Sequence, residues 1–282
     1  MRFRTEIEIP RNASPIAADS ILVSMGSCFS QAIGKRLADG GIKSAVTPMG
    51  ILFNPISIGY TVKRMLHGFG YTKSDLYQDQ KGIYHALAFE SRRQGPDPVT
   101  LLEAINLDFL ISSSTLRNAN CWLITFGTAW CFRHIPSDVI VGNCHKLNAS
   151  EFEHSLCRIN EIFDLWHEIL PHAPRVIFTV SPVRHLNDGL HGNTISKSIL
   201  HLAIDRLCKV HKNAEYFPAY EALVDDLRDY RFYADDLKHP SPMAEEYIFD
   251  LFLNTYFSER DITEIKRQRR QKRIENHRPI LK

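Results

Sequence analysis

Cysteine is sparse in this chain: six among 282 residues, with no C-x-x-C pair. So few thiols in a chain of this size do not make a disulfide framework, and a thiolate zinc site has no support in the spacing. Cys28, Cys121, Cys131, Cys144, Cys157 and Cys208 therefore read mostly as buried thiols. Long hydrophobic runs are also missing. No stretch approaches the roughly 18 uninterrupted apolar residues of a membrane span. The N-terminal MRFRTEIEIPRNASP mixes charges of both signs and has no apolar core, so it does not read as a secretory signal. These absences set the expectation of a cytoplasmic protein with no membrane partner. Internal repeats and low-complexity segments are absent as well. With 44% hydrophobic, 23% charged and 10% aromatic residues, the composition excludes wholesale disorder, collagen and coiled coil.

An excess of either charge is the last thing missing, since 34 Lys+Arg against 32 Asp+Glu leaves +2. That balance conceals an asymmetry. From Ser258 onward nine Lys/Arg face four Asp/Glu, a balance of +5, so residues 1–257 carry −3. The length suits one large domain, and the charge divides it into a body over 1–257 and a basic extension over 258–282. The run Lys266–Arg273 reads first as a solvated helical extension, because Ile262, Ile265 and Ile274 give no sustained apolar face. The sharper alternative is an arm for a polyanion. No aromatic residue interrupts the run, so stacking on bases is unsupported and a nucleic-acid partner is not expected.

What is present is an alternation of element types. The apolar runs at 21–26, 121–127 and 175–183 are short and rich in β-branched and aromatic residues, as fits buried parallel strands. Between and after them lie segments with helical periodicity: 29–41, closing on Gly40-Gly41; 53–68, opened by Asn54-Pro55 and closed by Gly68; 151–170; 194–212; and 242–257, opened by Pro242. Strands alternating with helices predict an α/β fold, a single doubly wound parallel sheet flanked by helices in three layers, flavodoxin-like. In such sheets, sites form at the carboxyl ends of the strands.

Two segments at such ends carry chemistry. Gly26-Ser27-Cys28-Phe29-Ser30 ends the first strand and turns directly into a helix. Free backbone N–H groups and the helix dipole there favour an anion, and would lower a thiol pKa. The competing reading is a small-residue turn with a buried cysteine. Asp236-Leu237-Lys238-His239 precedes the last helix. Its three-residue offset lets a carboxylate fix and charge-stabilise an imidazole, with Asp235 the less suitable neighbour.

The order nucleophile, acid, base resembles the SGNH (GDSL-type) hydrolases, and the chain is closer still to the GSCFA domain family, itself SGNH-like. Gly26-Ser27-Cys28-Phe29-Ser30 differs from that family's signature only in its fifth letter. Further segments resembling it include Gly50–Pro55, Gly127-Thr128-Ala129-Trp130, Asn143–Lys146, Ser181–His185, Ser196-Lys197, Asp229–Tyr233 and His277-Arg278-Pro279.

The resemblance implies an esterase or acyl hydrolase, or an acyltransferase. Cys28 stands at the nucleophile position, Ser27 is the alternative, His239 is the base and Asp236 orients it. It also implies Gly50 as an oxyanion donor. The usual Asn of a G-x-N-D block is missing, because Ala129 stands in its place after Gly127-Thr128. Thr128, Asn54 and Asn143 remain open as substitutes. Arg184 and His185 are candidates for an anionic substrate, with pairing to an acid such as Asp188 the alternative for Arg184. His145 is a candidate second acid/base or a backbone-bonded histidine, and His85 a lone histidine with a possible substrate-side role. No cofactor and no metal are implied, and the expected partner is a small-molecule or glycan-linked acyl ester. A non-catalytic binding module on the same fold is the competing function.

Overall fold

The computed structural model of the chain describes residues 4–276; the segment His277-Arg278-Pro279 lies outside them. Five parallel strands form the central sheet: β1 (Ile21–Gly26), β2 (Lys43–Val46), β3 (Cys121–Phe126), β4 (Arg175–Val180) and β5 (Ala214–Tyr216). They lie in the order β5-β4-β3-β1-β2, which is the doubly wound, flavodoxin-like arrangement expected.

Side chains alternate along each strand, so one apolar run supplies two cores. Val23, Met25, Trp122, Ile124, Phe126, Val176, Phe178 and Val180 enter one cluster. Leu22, Cys121, Leu123 and Ile177 enter the other. Helices α2 (Pro55–His67), α3 (Pro98–Asn118), α4 (Ile159–Ile169) and α5 (Gly189–Val210) cover the first face. The second is covered by α1 (Cys28–Asp39) and α6 (Pro242–Tyr256), with α7 (Glu259–Asn276) packed outside them.

Local signals explain several boundaries. Asn54 caps α2 by accepting from the Ser57 N–H, Pro55 occupies the first helical position, and Gly68 closes the helix at φ 72°. Asp97 caps α3 in the same way. α3 is long and apolar enough to span a membrane by length and composition alone. It nevertheless packs Ile105, Phe109 and Leu116 into the first core.

Three expectations are corrected. The helix anticipated over 151–170 begins only at Ile159, because Phe152–Leu156 is a strand paired antiparallel with Trp130–His134. Apolar residues at 152 and 156 satisfy either period, and cross-strand pairing decides. Cys131 and Cys157, read as core thiols, are buried but joined in a disulfide, because Cys157 follows directly on the strand that pairs with Cys131's. The basic extension is also not simply solvated. α7 buries Ile262, Ile265 and the stem of Arg269. Its cations meet acids of the body: Arg269 holds Glu246 through two hydrogen bonds of 2.6 and 2.7 Å, Lys266 reaches Asp250 at 2.9 Å and Lys272 reaches Asp39 at 2.7 Å. The charge asymmetry of the sequence is thus partly closed internally.

Gly26 is the tightest point of the sheet. It has φ 125°, and a Cβ built there would lie 2.0 Å from the Thr125 carbonyl oxygen on β3. Neither the dihedral nor the space admits another residue. Gly26→Ala should lower unfolding stability by about 3 kcal/mol or more, measured by urea denaturation. A loss below ~1 kcal/mol would show that the strand end yields.

Candidate functional site

The carboxyl ends of β1, β3 and β4 converge at one edge of the sheet. β1 delivers Ser27 and Cys28, and Cys28 is the first residue of α1. Ser27 is fully buried, and its Oγ neither caps the helix nor has another partner. Cys28 is half-buried and a free thiol. The expected lowering of its pKa does not occur. Burial pushes the thiol above its ordinary value, although the Phe29 and Cys28 N–H groups pull it down; Glu245 adds to the rise and Lys197 opposes it. Desolvation of the sulfur therefore outweighs the helix N-terminus.

Asp236 and His239 form a pair within one loop. The Asp236 Oδ2 lies 2.6 Å from His239 Nδ1, and its Oδ1 accepts from the backbone N–H groups of Lys238 at 2.9 Å and His239 at 3.0 Å. A carboxylate facing Nδ1 fixes the proton there and leaves Nε2 as the acceptor. These bonds, led by those from the His239 backbone and ring, hold the Asp236 carboxyl well below the usual carboxylate range. The loop is closed by Ala234 N–H to the His239 carbonyl and Ser241 N–H to the Phe232 carbonyl, both 2.8 Å, and Leu237 takes φ 55° in the turn.

Arg184 ties this loop to the end of β4. Its backbone N–H donates to the Lys238 carbonyl at 3.0 Å, and its guanidinium lies over the rings of Tyr230 at 5.2 Å and Tyr233 at 4.5 Å. Asp188 is not its partner, since that carboxylate lies 3.5 Å from His154. The aromatic segment 229–233 thus packs the Asp236–His239 loop in place.

The oxyanion candidates are largely engaged elsewhere. The Gly50 N–H donates to the Thr47 carbonyl, and those of Gly127 and Thr128 both donate to the Phe53 carbonyl. Asn54 caps α2 with its Oδ1, and its Nδ2 reaches the Val141 carbonyl at 3.3 Å. The Thr128 hydroxyl pairs with Ser196 at 3.0 Å. Asn143 accepts from the His145 N–H and leaves its own NH₂ without a hydrogen-bond acceptor among the described residues. His145 is buried, donates from Nε2 to the Phe89 carbonyl at 3.0 Å, and stacks edge-on with His85 at 5.5 Å. Burial pushes its pKa down. His85 faces Asp79 at 3.2 Å. These two histidines form a separate cluster. Among the described residues no three His, Cys, Asp or Glu converge as metal ligands.

Two further groups stand in the site: His185, which the sequence offers beside Arg184 as a candidate for an anionic substrate, and Lys197, to which sequence reasoning assigned no role. The His185 Nε2 is buried without a partner, and it lies with the Ser27 Cβ against Gly127, 3.4 and 3.3 Å from where a Gly127 Cβ would be. Burial, with the charges of Lys197 and His239, pushes the His185 pKa down to about 3. Lys197 reaches from α5, 2% exposed, and donates from Nζ to the Gly127 carbonyl at 2.6 Å and the Ser181 carbonyl at 2.7 Å. Burial pushes its pKa down to about 7, partly opposed by Cys28.

A cavity of about 860 Å³ opens along α2, walled by Tyr60, Tyr71, Tyr77 and Val139 among others; none of the titratable groups described above lines it. Size alone does not locate the chemistry here, because the titratable groups gather at the sheet edge instead.

Two titrations check this geometry. The Asp236 carboxyl, followed by ¹³C NMR, should titrate below the unperturbed value of about 3.9. Its stabilising contribution is then complete above that value and declines as pH falls through the folded pKa; a midpoint at or above it contradicts the pairing. Lys197 has the opposite sense. The unfolded chain binds its proton between about 7 and roughly 10.4 while the folded chain does not. Lys197 therefore makes stability rise with pH across that window, by up to ~1.4 kcal/mol per pH unit. Lys197→Met should remove that slope relative to the wild type in urea titrations at several pH values.

The comparisons with known proteins are few. No curated protein matches the chain. Among solved structures it is similar to a carbohydrate esterase family 3 from Talaromyces cellulolyticus, at 10% identity over 88% of this chain and 99% of that one, with a TM-score of 0.33. The model of the GSCFA family matches residues 21–252, from the first residue of β1 into α6, and the chain therefore belongs to the GSCFA family.

Proposed function

We propose that the protein is an SGNH-like esterase or acyl hydrolase, with acyl transfer to an acceptor other than water as the alternative outcome of the same chemistry. The observation that carries this reading is the 2.6 Å Asp236–His239 pair in the loop before α6, together with a thiol at the strand-to-helix turn of β1. In this reading Cys28 attacks the carbonyl of an acyl ester, small or glycan-linked. His239 takes the thiol proton on Nε2 and returns it to the leaving alcohol, and Asp236 stabilises the imidazolium. The developing oxyanion meets N–H groups of the first turn of α1, which have no helical acceptor of their own. Ser27 is the less suitable nucleophile, because its hydroxyl is sealed from solvent and bonded to no base.

One set of observations favours a second reading, a binding module without turnover. The N–H groups of Gly50 and Gly127 and the side chain of Asn54 are committed to structural bonds, and no hydrogen bond joins the Cys28 sulfur to His239 in the free protein. Apo geometry of a catalytic pair is often loose, so the two readings separate by experiment. Cys28→Ala and His239→Ala should each reduce hydrolysis of a small activated ester by about 10³-fold or more, and Asp236→Asn should lower kcat by ~10²–10⁴-fold. Turnover that survives both of the first two changes would refute the mechanism. Stoichiometric ester binding without turnover in the wild type would establish the binding module.

A further inference from the structure

The cavity along α2 takes no part in the chemistry proposed above, yet the fold holds it open. At about 860 Å³ it lies within the roughly 300–1,000 Å³ of small-molecule sites. Its walls are α2, the segment 69–77 and the strand Val139–Val141. Arg64 on α2 fixes the second wall. Its guanidinium grips the two carboxylate oxygens of Asp75 at 2.7 and 2.8 Å and donates to the Phe69 and Gly70 carbonyls at 2.9 and 2.6 Å. It also lies 4.0 Å from the centre of the Tyr71 ring. The third wall is tied to the same helix, because the Ser57 hydroxyl donates to the Val141 carbonyl at 3.0 Å. A ligand therefore meets a preformed space and does not have to order it.

The polar groups of these walls are already engaged. The Thr61 hydroxyl donates to the Ser57 carbonyl at 2.9 Å, the Tyr77 hydroxyl to Glu151 at 2.8 Å, and the Ser137 hydroxyl faces His134 Nδ1 at 2.7 Å. The charges are balanced in the same way, Arg64 by Asp75 and Lys63 by Glu168. What is left to a ligand is apolar: Leu76, Leu87, Ile140 and Val141 within, and Tyr60, Phe69 and Val139, each at least half exposed, at the mouth. Apolar surface gathered in one concavity is better covered than wet. A carboxylate would lose its water there without gaining an unpaired lysine or arginine, whereas the Tyr60 hydroxyl and the exposed His67 ring can each meet one neutral polar group. We propose that this cavity is a binding site for an uncharged aliphatic chain ending in a hydroxyl or ester group, recognised by the length of its hydrocarbon. Binding there involves no covalent step, and it does not depend on Cys28 being a nucleophile.

Calorimetric titration of the full-length chain with 1-hexanol, 1-octanol and 1-decanol tests it, at about pH 8, where an ordinary histidine is neutral. Each added pair of methylenes should tighten binding by about 15-fold, and decanoate should bind at least ~10-fold more weakly than 1-decanol. An affinity that does not grow with chain length, or a preference for decanoate, overturns the proposal. Location is tested by Val139→Asp, which sets a carboxylate at the mouth of the cavity and should weaken 1-decanol by ~10-fold or more; unchanged affinity places the alcohol elsewhere and is equally fatal. If that variant does not fold, intermolecular NOEs in the wild type decide. Contacts from the decanol methylenes to the Val139, Ile140 and Val141 methyls support the site, and contacts to other methyls alone refute it. Sedimentation of the unliganded chain covers the competing occupant: a dimer that 1-decanol dissociates would make this face a self-contact and retire the ligand site.

Discussion

Two carbonyl oxygens, of Gly127 and Ser181, converge on the buried amine of Lys197 at 2.6 and 2.7 Å, and the carboxyl edge of the sheet is organised around that contact. Parallel strands end without a partner for their last carbonyls, and loops leaving a sheet edge normally find water there. In this chain a side chain from α5 closes the ends of β3 and β4 from below. Phe53 closes them from the side by accepting two N–H bonds, from Gly127 and Thr128. With those groups paired, Gly127 can form a floor against which Ser27 and His185 meet. The same closure withdraws Gly127 and Thr128 from any role as donors to a ligand, so the turn at the start of α1 is left as the place where unpaired N–H groups gather.

Electrostatics at this edge follow from burial more than from helix dipoles. The sulfur of Cys28 sits where a helix N-terminus should favour its anion, yet desolvation prevails. His185 is kept neutral and Lys197 is brought near neutrality by the same cause. Asp236, exposed and surrounded by donors, moves toward its charged form instead. The site therefore has a dry side, where charges are suppressed, and a wet side, where one carboxylate is secured.

Much of this was legible in the sequence. The runs at 21–26, 121–127 and 175–183 declared buried strands through β-branched and aromatic density, Asn54-Pro55 and Gly68 marked both ends of α2, and the offset between Asp236 and His239 encoded their contact. Phe152 and Leu156 misled, because a spacing of four also fits a strand whose partner is distant in the chain. The Cys131–Cys157 bond was invisible for the same reason, since it depends on long-range pairing. Lys197 did leave a signal: it stands three residues before Leu200 and seven before Ile204, on the stripe that must be apolar. His185 stood out only as the neighbour of Arg184 at a strand end; its place against Gly127 depends on residues distant in the chain.

Asp236 and His239 lie in a loop whose internal bonds all fall between Phe232 and Ser241. The pair is therefore a cassette. Its bond length, its tautomer and the acidity of its carboxylate are decided by ten consecutive residues, whereas its distance from Cys28 is decided by how those ten are moored to Arg184 and α6. Displacement of the cassette would alter reach without altering tuning. A change in mooring at Tyr230 or Tyr233 and a change in chemistry at Asp236 are thus separable adjustments, available to this fold independently of each other.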